Sequence, residues 1–84
     1  MNTKLMNYRL EEIDLIIEDK RNDAFRDIKK AKRKLEDMEQ LLKEEKLDIL
    51  GANDIAFIGR QLLAEFYNIE ALANEKLRLK KYLE

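Results

Sequence analysis

Six residue types are missing from this 84-residue chain: proline, serine, cysteine, histidine, tryptophan and valine. Each absence removes a class of structure or chemistry. Without cysteine there is no disulfide to staple a small fold, and without cysteine or histidine a zinc site lacks its usual ligands. A Ser-His-Asp triad, a thiolate nucleophile and an imidazole base are excluded with the same residues. Neither a GxxxxGK[ST] loop nor a GxGxxG turn is present to cradle phosphates. No apolar run approaches the ~20 residues of a membrane span, and MNTKLMNYRLEE lacks the apolar stretch of a signal peptide. A cytoplasmic protein is therefore the expectation. The net charge of −1 supplies no overall field toward nucleic acid or an anionic membrane.

What remains is rich in Leu, Glu, Lys, Arg and Ala, all good helix formers, and has no valine, one threonine and 7% aromatics, residues that favour strands. Charged residues make up 42% and apolar residues 45% of the chain, too apolar for a disordered polyampholyte. The expectation is one small all-α domain spanning 1–84. A single core of this size is marginal, so helix packing or oligomerisation has to supply the stability.

The apolar spacing predicts three helices. Met6, Leu10, Ile13 and Ile17 form a first stripe over about 4–18, with Thr3 as its cap. The polar run EDKRND (18–23) reads as a turn, because Asn22-Asp23 ahead of a new apolar stripe is a start signal. A second stripe, Ala24, Ile28, Ala31, Leu35, Met38, Leu42 and Ile49, marks a helix over about 22–50 that Glu45 interrupts. Gly51 then supplies a left-handed stop and Asn53 an N-cap. The third helix follows over about 54–84 along Ile55, Ile58, Leu62, Phe66, Ile69, Leu72, Leu79 and Leu83. Gly51-Ala52-Asn53 thus closes a long antiparallel αα-hairpin with a shorter N-terminal helix on its open end. The product is a three-helix bundle, or a four-helix bundle made by two copies. Gly59 inside the third helix costs about 1 kcal/mol relative to Ala, which fits a close approach of another backbone or a tolerated small residue.

A short first helix leaves the turn-proximal half of the hairpin without a third layer. That half carries Leu41, Leu47, Leu50, Phe57, Leu63 and Tyr67, more apolar surface than a two-helix seam uses, and such a patch marks an interface. The expected function is non-catalytic: a small regulator, inhibitor or adaptor that binds a partner protein, with homodimerisation through the same half. A phage- or mobile-element-encoded inhibitor of a host system is one setting that suits such a chain. The alternative is a nucleic-acid-associated protein using RDIKKAKRK (26–34), with Lys29, Lys30, Arg33 and Lys34 tracking the phosphates. Arg78, Lys80 and Lys81 would lie beside that stretch in the hairpin. Glu11, Glu12 and Asp14 of the first helix would neutralise much of it.

Catalytic and metal chemistry find little to work with, and no cofactor is implied. Adjacent carboxylates such as Glu11-Glu12 and Glu44-Glu45 point apart on a helix, and the i,i+4 neighbours of Glu11 and Glu65 are the apolar Leu15 and Ile69. Glu45, Glu65 and Lys76 read as polar breaks in the stripes that help fix register. A small helical enzyme is the weaker alternative and would need several Arg or Lys converging with Gln61. The stretch GRQLLAEFY (59–67) resembles the opening segment of the pyruvoyl-dependent S-adenosylmethionine decarboxylases, a strand in that family. The serine, histidine and cysteine that such an activity requires are all missing here. Arg9 with Ile13-Asp14 is similar to the Arg-x-x-Ile-Asp opening of the all-helical chorismate mutases, one residue too long in spacing. No functional residue carries over from either.

Overall fold

The computed structural model describes residues 2–83 and holds two helices, α1 (Thr3–Lys43) and α2 (Ile49–Leu83), folded back on each other as an antiparallel hairpin. The all-α hairpin expected from the stripes is present. The division into three helices is not, because α1 runs without interruption through EDKRND. The seam explains why. From Met6 through Leu10, Ile13, Ile17, Lys20 and Ala24 to Leu41, the positions facing α2 recur in alternating steps of four and three. A turn at 18–23 would have reset that phase, whereas the polar run keeps it. The start signal of Asn22-Asp23 is overridden by this continuous register.

The helix begins one residue earlier than expected as well. Asn2, not Thr3, is the N-cap, its side chain accepting from the Lys4 backbone N–H at 2.9 Å.

The turn sits at 44–48 rather than at Gly51-Ala52-Asn53, which all lie inside α2. Glu45 takes the left-handed conformation, with φ of 61°, that sequence reasoning assigned to Gly51. The Lys46 N–H donates to the Leu41 carbonyl at 2.9 Å and the Glu45 N–H to the Leu42 carbonyl at 3.0 Å. These paired bonds close the orphan carbonyls at the end of α1 as a Schellman motif with glutamate where glycine is usual. Asp48, not Asn53, then caps α2, accepting from the Gly51 N–H at 2.8 Å while its carbonyl takes the first intrahelical bond from Ala52. Gly51 has a negative φ; its value lies in size. A Cβ there would stand 2.2 Å from the Asp48 carboxylate, so the missing side chain lets the cap close over a buried seam position.

The result is a rod of 63 × 16 × 14 Å, one helix pair thick throughout. Ion pairs set the register: Lys34 Nζ lies 2.9 Å from Asp54, and Lys76 pairs with Asp14. Arg9 grips Glu75 through two bonds of 2.6 and 3.1 Å. Two helices cannot enclose much. Among the described residues only Met6, Ile13, Ala24 and Ile58 form a buried apolar core, and Ile13 alone is fully enclosed.

Candidate interaction surface

A coiled-coil seam has two flanks, and in this hairpin they differ in kind. Heptad spacing places Arg9, Asp23 and Lys30 of α1 on one flank, facing Gln61, Asn68 and Glu75 of α2. The Arg9–Glu75 pair is the direct sign of that arrangement. A cleft of about 530 Å³ opens there, lined by Lys20, Asp23, Asp27, Gln61, Glu65 and Asn68.

Inside this cleft Glu65 occupies a seam position. Burial raises its pKa first, and the carboxylates of Asp27 and Asp23 raise it further, against the opposing Lys20. Its Oε2 is shut away from solvent with no hydrogen-bond partner. Sequence reasoning took Glu65 as a register break and passed over its neighbours. The signal for them was the row Asp19, Asp23, Asp27 at i,i+4 spacing, which an apolar-stripe reading does not see. Among the described residues no group of three carboxylates is arranged to hold a metal ion.

The other flank is apolar along the turn-proximal half. On α1 it presents Phe25, Ile28, Leu35 and Leu42. On α2 it presents Ile49, Ala52, Ala56, Gly59, Leu63 and Phe66, spaced in alternating steps of three and four. This is a second heptad stripe, offset from the seam. Phe25, Leu35, Leu42, Ile49, Leu63 and Phe66 are between 49% and 68% exposed. A groove of about 590 Å³ runs along it between Leu35, Met38, Leu42, Ile49 and Ala52, with Glu39 on its wall and Lys46, Leu47 and Asp48 at its end. Toward the open end the same flank turns polar at Asp14, Glu18, Arg21 and Lys76.

The six residues expected to form an interface are not gathered on one face. Leu63 belongs to the apolar flank. Leu47, exposed in the turn, lines the end of the same groove, whereas Leu41 lies in the seam, half-buried. Leu50 and Phe57 are exposed on the polar side of α2, and Tyr67 is on its outer ridge. Ile28, Leu35, Ile49 and Phe66 are flank residues that sequence reasoning left out because it assigned them to the core stripes, and Phe25 was placed on no stripe.

The basic stretch is also placed differently from expectation. With Lys34 level with Asp54, residues 26–34 lie beside about 55–63 of α2, not beside Arg78, Lys80 and Lys81. Those three sit level with about 8–11, at the open end. Glu11, Glu12 and Asp14 share α1 with the basic stretch and are roughly 25 Å along it, too far to neutralise Lys29 and Lys30. Lys34 is paired with Asp54, whereas Lys29, Lys30 and Arg33 are exposed and form no ion pair among the described residues. GRQLLAEFY is mid-helix in α2 and not a strand.

Compared with protein-family models, curated proteins and solved structures, the chain matches none of them. No helix among the described residues is long and apolar enough to cross a membrane.

Proposed function

We propose that this hairpin is a non-catalytic protein-binding module, a small regulator, inhibitor or adaptor, whose working surface is the apolar flank. One observation carries the reading: an apolar strip along one flank, interrupted on α1 by Lys32 and Glu39, that two helices cannot bury between themselves. Contiguous exposed apolar patches on small proteins mark interaction sites. An apolar strip at heptad spacing is shaped to take another helix, by the same knobs-into-holes packing that joins α1 to α2.

A tagged pull-down comparing wild type with Leu63→Arg tests it. Leu63 is half exposed, so arginine there leaves the hairpin folded and helical. A protein retained by wild type and lost by the variant supports the flank; equal capture by both removes it. The nucleic-acid alternative rests on exposed Lys29, Lys30 and Arg33. It predicts a gel shift that weakens steeply with salt and disappears when these residues become glutamine. Absence of any shift at low salt ends it.

A further inference from the structure

We infer that the occupant of the apolar flank is a second copy of this chain, packed antiparallel so that a two-fold axis crosses α2 between Ala56 and Gly59. The inference rests on the flank being an interaction surface and names what covers it.

The order of side chains on α2 argues for self-pairing. Reversed about the point between Ala56 and Gly59, the stripe sets Ala56 against the second copy's Gly59, Ala52 against its Leu63, and Ile49 against its Phe66. The smallest residues meet at the centre, where two helices can approach closely, and a large side chain faces a small one on either side. Leucines opposite each other at the centre would hold the backbones apart. Gly59 is otherwise unexplained, since a Cβ built there meets nothing within 4 Å inside the hairpin. Nothing in the single chain requires a glycine that weakens its helix. A neighbouring backbone does.

The second helix agrees. The Lys34–Asp54 and Lys76–Asp14 pairs place the same axis between Ile28 and Leu35 of α1, so each packs against the other's counterpart across the two-fold, with Lys32 at the outer edge level with its own copy. Beyond the apolar strip, Glu70 of one copy comes level with Lys46 of the other, an opposite-charge pair at the rim. Size is sufficient as well. With seven large apolar side chains, six of them about half exposed, the flank presents roughly 600–700 Å², within the range one partner contributes to a stable interface of standard size.

The geometry has a shape that competing arrangements lack. The axis lies near the turn, so only the turn-proximal halves overlap, in a central four-helix segment roughly 40 Å long. The two open ends project in opposite directions to a full length of roughly 85 Å at 1.5 Å per residue. A turn-to-turn, side-by-side dimer would stay near the 63 Å of one hairpin.

Four measurements on the full chain test this. Sedimentation equilibrium should give twice the 10.1 kDa chain mass. Small-angle scattering should give the longer dimension. Because the chain has no cysteine, Ile49→Cys mixed with Phe66→Cys should form a mixed disulfide, with little self-linking of either alone. Gly59→Leu, which has open space in the single hairpin, should stay helical yet raise the dimer Kd by about thirty-fold or more. Self-linked Ile49→Cys at a length near that of one hairpin would overturn the antiparallel arrangement. So would a Gly59→Leu dimer of unchanged affinity. A monomer whose Leu63→Arg variant still loses a captured target overturns self-pairing and keeps the interaction surface. A monomer with no such loss overturns both.

Discussion

The two halves of this rod differ in how they sort the same kinds of residue. Near the open end, the seam holds large buried apolar side chains, while Leu5, Tyr8, Leu15, Leu77 and Tyr82 are exposed and scattered around the rod. Met6 and Ile13 are buried in the seam, and Arg9–Glu75 and Asp14–Lys76 clamp its flanks. Near the turn, the seam is thinner, with Ala24, Ala31, Gly51 and the charged Lys34 among its members, while Phe25, Leu35, Leu42, Ile49, Leu63 and Phe66 are turned out. The open-end half has a finished seam, whereas the turn-proximal half lines a row of apolar side chains along one flank outside it. The difference shows that a helix pair can hold its own register at one end and keep its main apolar surface free at the other.

Substitutions in each half should expose this contrast. The largest effect is expected at Ile13, fully enclosed in the finished half: Ile13→Ala should cost about 3 kcal/mol, read as a lower midpoint in urea denaturation. Next, replacing the seam carboxylate by Glu65→Leu should stabilise the hairpin by about 1–3 kcal/mol, since an unpaired buried oxygen is exchanged for apolar packing. The same change would relax the choice of register that a polar seam residue enforces. At the turn, Asp48→Ala should cost about 1 kcal/mol through loss of the cap on Gly51. Glu45→Gly should gain up to about 1 kcal/mol by relieving a left-handed glutamate.

The smallest effects are pH-dependent and differ in sign between the halves. Glu65 has a raised pKa, so the folded state binds its proton more tightly than the unfolded state. Its penalty is present above the raised value and is relieved as pH falls through it toward the ordinary carboxylate range. Glu75 is lowered, chiefly by its hydrogen bond from Arg9. Its contribution is present above the ordinary range and lost as pH falls through the lowered value. Chemical denaturation of Glu65→Gln across this window should lose the gain on mild acidification, whereas Glu75→Gln should lose the decline at stronger acid.

Much of the fold was legible because periodicity is a long-range signal. Both seams can be traced in steps of three and four, and the all-helical hairpin follows from them. The turn was not, because its two markers are of unusual type. The left-handed stop is Glu45 where a glycine was sought, and Gly51 drew the break three residues beyond Asp48 although its role is to make room for that cap. Asn22-Asp23 imitated a helix start, yet the unbroken phase from Ile17 through Lys20 to Ala24 already argued against one. The excess of apolar residues near the turn was visible in the sequence. Their sorting onto one flank was not, since it depends on which of two heptad stripes faces α2, and shifting the turn by a few residues changes that assignment.

Thr3 and Leu83, the outer ends of the two helices, lie at the same pole, with the turn some 60 Å away, and this fixes how the rod would answer to force. Tension applied between the two ends would pull across the seam rather than along it. The layers would part in succession from Met6 and Leu83, meet the Arg9–Glu75 and Asp14–Lys76 clamps early, and reach the turn last. Such a rod opens like a zip at low load, one layer after another. The same two helices held by opposite poles would have to shear every layer at once.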